Sequence, residues 1–181
     1  MAMMGTLFSL GSTLTGIFIT RLGDIYGRKL PTMISSFVSV PILACIIYSE
    51  NLYFTTFLFL ALGLAGPGKH MVGFVYAGEM FSEDYRSIIG SAILFTDSAT
   101  MIFLPLYYKL ISKNWLYFQL FYFYLSIISS LCLFLIPESP KYLLSKGFND
   151  KAQKSFEKIA RINGVSNFTM LIKTEEKKEE V

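Results

Sequence analysis

The sequence predicts an all-α fold, a polytopic bundle of five membrane-spanning helices, on two observations. Of 181 residues, 53% are hydrophobic and only 16% are charged, against about 25% charged residues in an ordinary soluble domain. Four runs contain no charged residue: 1–20, 30–49, 51–68 and 114–137. Each is close to the roughly 20 apolar residues that a helix needs to cross a bilayer. The lipid bilayer is therefore the expected partner, and a soluble enzyme, a nucleic-acid-binding protein and a disordered tail are excluded.

The bundle is predicted to occupy residues 1–137. The hydrophobic runs and the charges between them set the five helices at about 2–22, 30–48, 52–81, 87–108 and 116–136. Pro41, Pro67 and Pro105 fall inside these helices. Membrane helices tolerate proline because neighbouring helices can satisfy the freed backbone carbonyls.

A charged tail, 138–181, follows the bundle. Within it, residues 149–162 are predicted to form an amphipathic helix with Ala152, Phe156, Ile159 and Ala160 on its apolar face. We expect this helix to pack beneath the bundle, and the alternative is an independent helix on the membrane surface.

The distribution of lysine and arginine predicts the orientation. If the first helix enters from outside, 13 of the 16 basic residues lie in the inner loops and the tail. Only Lys109 and Lys113 lie outside, and Lys69 lies within a span. Basic residues accumulate on the cytoplasmic side of membrane proteins. We therefore expect an extracytoplasmic N-terminus and a cytoplasmic C-terminus in an integral multi-pass membrane protein.

No motif predicts an enzyme, a cofactor or a metal site. The two cysteines, Cys45 and Cys132, lie within apolar runs and lack the spacing of metal ligands. The single histidine, His70, offers little for acid–base chemistry, and no Gly-rich phosphate loop or nucleophile elbow is present.

The loop between the first two predicted helices has a distinctive pattern. It contains Asp24, Gly27, Arg28 and Lys29 within six residues. Glycine permits a tight turn, and the acidic side chain can accept hydrogen bonds from a helix N-terminus or a basic side chain. The alternative is that these residues serve only as topological charges.

This loop resembles the signature of the major facilitator superfamily, G-x-x-x-D-[RK]-x-G-R-[RK]. Asp24, Gly27, Arg28 and Lys29 match it, whereas Thr20 replaces the first glycine and Ile25 replaces a basic residue.

Glu79 and Arg86 are similar to the E-x6-R element after that family's fourth helix, and PESPKYL at 137–143 is similar to the PESPRWL element after its sixth. The sequence KIARING at 158–164 is similar to an ending found in organic cation and carnitine transporters, which sugar porters usually lack.

The resemblance implies helices two to six of a transporter with twelve helices in two halves. It implies a small-molecule solute as substrate and alternating access as mechanism. Small organic ions are the expected substrates, and sugars are the second choice. The C-terminal half would be missing, or supplied by another membrane subunit. A non-transporting half that serves as a structural subunit is the alternative function.

Five residues match the charge network that locks the family's outward-facing state: Asp24, Arg28, Glu79, Arg86 and Glu138.

Lys69, His70 and Asp97 are the informative ionisable residues within the predicted spans. A charge at a helix centre costs about 2.5–3.5 kcal/mol, so it usually faces a partner or a cavity. Lys69 lies about 18 Å and Asp97 about 15 Å from the same end of consecutive helices, at 1.5 Å per residue. We therefore expect a Lys69–Asp97 pair, which is either a neutralised structural pair or part of a substrate or proton site. His70 is expected to be a packed, hydrogen-bonded side chain rather than a proton relay.

Overall fold

The computed structural model describes residues 2–111 and 113–164, and the regular structure in these residues is helical. The helices are α1 (Ala2–Tyr26), α2 (Lys29–Tyr48), α3 (Leu52–Pro67), a π-helical turn (Gly68–Val72), α4 (Gly73–Met80), α5 (Glu83–Leu110), α6 (Trp115–Leu135), α7 (Pro140–Ser145) and α8 (Asn149–Ile162). Because α3, the π-turn and α4 are continuous, five helices are long and apolar enough to cross a membrane. The predicted all-α bundle with five spans is confirmed. Residues 165–181 of the predicted tail lie outside the described residues.

Two spans extend beyond their predicted ends. α1 continues to Tyr26, so that Asp24 lies on its last turn, and the helix ends at Gly27, whose φ of +106° an L side chain rarely adopts. α5 begins at Glu83, where Glu83 and Asp84 place negative charge in the first helical turn. Carboxylates are stabilising there because the helix N-terminus carries a partial positive charge.

The tightest helix packing is between α1 and α3. A side chain on Gly63 would collide with the backbone carbonyl of Phe8 in α1, and one on Gly11 would approach Leu60 O to 2.8 Å. These glycines allow the two backbones to approach closely, as small residues do in membrane bundles. α2 packs against α3, the π-turn and α6.

The π-turn follows Pro67 directly. Proline has no backbone N–H, so it breaks the regular hydrogen-bond ladder, and a π-turn is one way in which the helix continues past such a break. Gly68 is buried against α2, where a Cβ atom would overlap the Ser35 side chain and lie 3.0 Å from the Pro31 carbonyl oxygen. Lys69 and His70 lie within this turn, which therefore fixes their positions.

The last two helices form a cap at the end of the bundle that holds the α1–α2 turn. The Ser139 side chain accepts a hydrogen bond from Tyr142 N at 3.1 Å and begins α7. α8 buries Ala152, Ser155 and Ala160, and α7 is its main packing partner. The Ser155 hydroxyl donates to the Glu138 carbonyl at 2.8 Å, which fixes α8 to the chain after α6.

Substitution at the α1–α3 contact provides the first prediction. Gly63→Ala should separate α1 from α3 and destabilise the protein by about 1–3 kcal/mol, because the added methyl group meets backbone rather than a movable side chain. Gly66→Ala, one turn away, is the matched control, since nothing lies within 4 Å of its Cβ position. The measurement is thermal stability in detergent by fluorescence-detected size exclusion. Equal melting temperatures for the two variants would contradict the packing described.

Candidate functional site

A cavity of about 680 Å³ lies among α2, the π-turn, α5 and α6, and we call it the central cavity. Its polar lining residues are Thr32, Ser36, Lys69, His70, Asp97 and Ser129. Phe74, from the first turn of α4, supplies an aromatic wall. All three ionisable residues singled out in the spans therefore line one space within the bundle.

The contact between ionisable side chains in this cavity differs from the expected Lys69–Asp97 pair. His70 Nδ1 lies 4.0 Å from Asp97 Oδ2, and no carboxylate in the described part of the chain lies within 4.0 Å of the Lys69 ammonium. Similar depth in the bundle was the basis for expecting a Lys69–Asp97 pair. Depth does not fix direction around the helix axis, and the side chain that turns toward α5 is that of His70. The side chains of His70 and Asp97 are largely exposed, at 71% and 63%, so the prediction of a packed His70 is wrong.

A second group of charged residues, the charge cluster, lies at the α1–α2 turn. It is centred on Arg28, which is mostly buried, with its side chain 18% exposed. The guanidinium binds the Asp24 carboxylate on the last turn of α1 and lies 3.3 Å from Glu79 Oε1 at the end of α4. Arg28 thus joins two spanning helices through charge-assisted hydrogen bonds.

Glu138 belongs to this cluster through the backbone. Its Oε1 atom accepts hydrogen bonds of 3.0 Å from three backbone N–H groups, those of Arg28, Lys29 and Ser139. It therefore caps the N-terminus of α2, where a negative charge is favoured. Lys29 donates from Nζ to the Ile136 carbonyl at 2.6 Å, at the end of α6.

Gly27 lies directly against this cap. A Cβ atom on Gly27 would be 2.5 Å from Glu138 Oε2. Both the positive φ and the proximity of the carboxylate therefore require glycine here.

Arg86 remains apart from the other predicted members of the network. It forms no ion pair within 4.0 Å among the described residues. It does line a crevice of about 310 Å³ together with Glu79. The Glu79 Oε2 atom is buried and has no hydrogen-bond partner in the structure. The crevice thus brings an uncompensated carboxylate oxygen and an unpaired guanidinium to the same place.

Sequence reasoning missed three contacts around the cluster. The Tyr142 hydroxyl donates to the Ile25 carbonyl at 2.7 Å, and the Tyr76 hydroxyl donates to the Pro137 carbonyl. Lys141 forms an exposed ion pair of 3.0 Å with Glu83. Burial, and then the nearby Glu138 carboxylate, raise the pKa of the Tyr142 phenol. Tyr142 and Lys141 lie within the motif at 137–143, but no pattern marks Tyr76.

Comparison with known proteins matches nearly the whole chain to one family. Residues 1–180 match the family model described as "Sugar (and other) transporter". The chain is 31% identical over 161 residues to the organic cation transporter-like protein of Drosophila melanogaster, covering 88% of this chain and 28% of the relative.

Two mammalian relatives are similar to the same extent. Identity is 28% over 163 residues to organic cation/carnitine transporter 2 of Mus musculus, covering 88% of this chain and 29% of the relative. It is 28% over 161 residues to solute carrier family 22 member 2 of Oryctolagus cuniculus, covering 87% of this chain and 28% of the relative. The chain therefore spans less than a third of the length of these relatives.

The relatives are membrane transporters rather than enzymes, which agrees with the expectation for this chain. Five spans, the turn at Gly27 and the match over residues 1–180 all support one assignment. The chain belongs to the sugar (and other) transporter family of the major facilitator superfamily.

Proposed function

We propose that this chain forms part of an alternating-access transporter for small organic ions of the organic cation or carnitine kind. The observation that carries the proposal is the central cavity, where Lys69, His70 and Asp97 meet within the bundle. Ionisable groups at membrane depth are costly, so three around one cavity favour a solute that itself carries charge. The relatives described above are named as organic cation and carnitine transporters, which is the same chemistry.

The two signs of charge in the cavity suggest separate roles. Asp97 binds the cationic group of the solute, with Phe74 as an aromatic wall that favours an ammonium group. Lys69 has no carboxylate within ion-pair distance in the described residues, so it is available for the carboxylate of a zwitterion such as a carnitine-like solute. A neutral sugar, the second choice, would find hydroxyl partners in Thr32, Ser36 and Ser129 but would leave both charges unused.

The charge cluster acts as a gate at its end of the bundle. Arg28 holds α1 to α4 through Asp24 and Glu79 while this end is closed. As the bundles rock, Arg86 moves toward the unpartnered Glu79 Oε2 and replaces Arg28 as the partner of that carboxylate. Breaking one ion pair while forming another keeps the free-energy difference between the two states small, as alternating access requires.

The complete transporter is proposed to be a longer polypeptide, in which this chain contributes helices two to six. The relatives are more than three times as long as the matched region. The N-terminal end of the chain is extracytoplasmic and α7 and α8 are cytoplasmic, because 13 of the 16 basic residues then lie inside.

A non-transporting subunit of a larger membrane complex is the second candidate. It is favoured by α5, which has no buried residue and so presents wide faces to a neighbour, and by the substitutions Thr20 and Ile25 in the signature. The native mass separates the two. We expect a blot against residues 149–163 to detect a species more than twice the 20.5 kDa of this chain. A native species of 20.5 kDa would instead favour the subunit.

The gate predicts a specific effect of Asp24→Asn in the native polypeptide. Uptake should fall several-fold, because Arg28 loses one of its two charged partners. Expression should stay near normal, because Arg28 keeps its pair with Glu79. The matched control is Glu83→Gln, which breaks the exposed Lys141 pair at the same end and should leave uptake unchanged. Uptake of a radiolabelled organic cation, normalised to surface expression, is the measurement. Full activity of Asp24→Asn would count against the gate.

The cavity predicts the outcome of neutralising its charges. Lys69→Met, Asp97→Leu and the double variant should all lose uptake, because each removes a group that holds the solute. Thr100→Val, on α5 outside the cavity lining, is the control and should retain uptake. If the double variant recovers transport that the single variants lack, the two residues form only a neutralised structural pair, and the substrate-site proposal fails.

A further inference from the structure

A crevice of about 600 Å³ lies at the end of the bundle that contains the α1–α2 turn, between α1, α7 and α8, and we call it the basic crevice. Its lining combines two kinds of residue. Four are mostly apolar: Ile25, Tyr26, Leu143 and Phe148. Three are basic, Lys151, Lys154 and Lys158, and the Lys151 ammonium lies 5.0 Å from the centre of the Phe148 ring. Its occupant must therefore present both an apolar part and negative charge.

The three lysines form a single stripe. Their spacing of three and four residues places them on one face of α8. All three are exposed, and none forms an ion pair with the residues that the structure describes. Lys158 is also close enough to Lys29 for the two charges to repel each other. An anion bound in the crevice would relieve this repulsion.

The acidic groups nearby do not neutralise the stripe. Glu138 lines the crevice, but its Oε1 accepts three backbone hydrogen bonds. On α8 itself, Glu157 accepts a hydrogen bond of 3.0 Å from Gln153, away from the crevice. The crevice lining therefore keeps an excess of positive charge, with three lysines against one carboxylate.

The crevice lies where two spanning helices end. Ile25 and Tyr26 belong to the last turn of α1, and Pro137 comes two residues after the end of α6. Three apolar side chains in the lining are half or more exposed: Ile25 at 53%, Tyr26 at 65% and Phe148 at 50%. This combination of lysines and exposed apolar groups at the end of a span is the environment of a lipid headgroup.

We propose that the basic crevice binds the headgroup of an anionic glycerophospholipid, with its phosphate among Lys151, Lys154 and Lys158 and its glycerol end against Ile25 and Tyr26. The source of the lipid, the cytoplasmic leaflet, rests on the orientation proposed above. The Ser155 hydroxyl connects α8 to the Glu138 carbonyl, so a bound lipid also braces the α2 cap of the charge cluster.

Native mass spectrometry of the native polypeptide in mild detergent tests this site. Dioctanoyl phosphatidylserine should bind more tightly than dioctanoyl phosphatidylcholine. The triple variant Lys151→Gln, Lys154→Gln, Lys158→Gln should weaken binding of the serine lipid by at least about tenfold. The corresponding triple Arg variant should retain it, which separates loss of charge from loss of folding.

The matched control removes the same charge elsewhere in the tail. Lys173→Gln, Lys177→Gln, Lys178→Gln should leave lipid binding unchanged. Equal weakening by both Gln triples would mean general charge attraction and would overturn the site. Displacement of the lipid by excess inorganic phosphate would mean a free-anion site, and equal binding of the two lipids would mean an apolar groove. Since the assay does not measure uptake, its failure would leave the transport proposal standing.

Discussion

The capping of α2 by the Glu138 carboxylate is the interaction on which this end of the molecule depends. One oxygen satisfies three backbone N–H groups where the α1–α2 turn meets the chain after α6. A carboxylate at a helix N-terminus contributes up to about 2 kcal/mol in a partly buried setting. The turn can approach the carboxylate only because Gly27 has no side chain, and the backbone carbonyl of the same glutamate anchors α8 through Ser155. One residue thus joins three parts of the fold.

Because of this cap, the charged residues of the cluster have different partners. Since backbone donors satisfy Glu138, Arg28 is left to the carboxylates of Asp24 and Glu79, which belong to two different spans. In the gate proposed above, the Glu138 cap stays fixed while the Arg28 ion pairs are exchanged. Among the residues that the structure describes, the closest contact between ionisable side chains of the central cavity is the 4.0 Å from His70 Nδ1 to Asp97 Oδ2. Long contacts in the central cavity and short hydrogen bonds at the α1–α2 turn are compatible with a bundle that moves as a unit around the solute site.

The sequence predicted the number and order of the spans because long charge-free runs leave few alternatives in a bilayer. It predicted helix ends less well: α1 runs on to Tyr26 and α5 begins at Glu83, since charged residues can belong to the last or first turn of a helix as readily as to a loop. Of the five residues that the motifs predicted for one network, Arg86 forms no ion pair among the described residues, and the motifs did not predict the partners of the other four. Whether a carboxylate binds a side chain, as Asp24 does, or a helix end, as Glu138 does, depends on backbone geometry that spacing does not encode.

The fit of Gly68 against α2 links two positions that are far apart in the sequence. No atom beyond hydrogen can be added at residue 68 while Ser35 and the Pro31 carbonyl stay where they are. The side-chain sizes that the protein tolerates at these two positions therefore depend on each other. A larger side chain at residue 68 requires a smaller one at residue 35, or the loss of the π-turn. In a set of related sequences, the combined volume of these two side chains should vary less than the volume of either one alone.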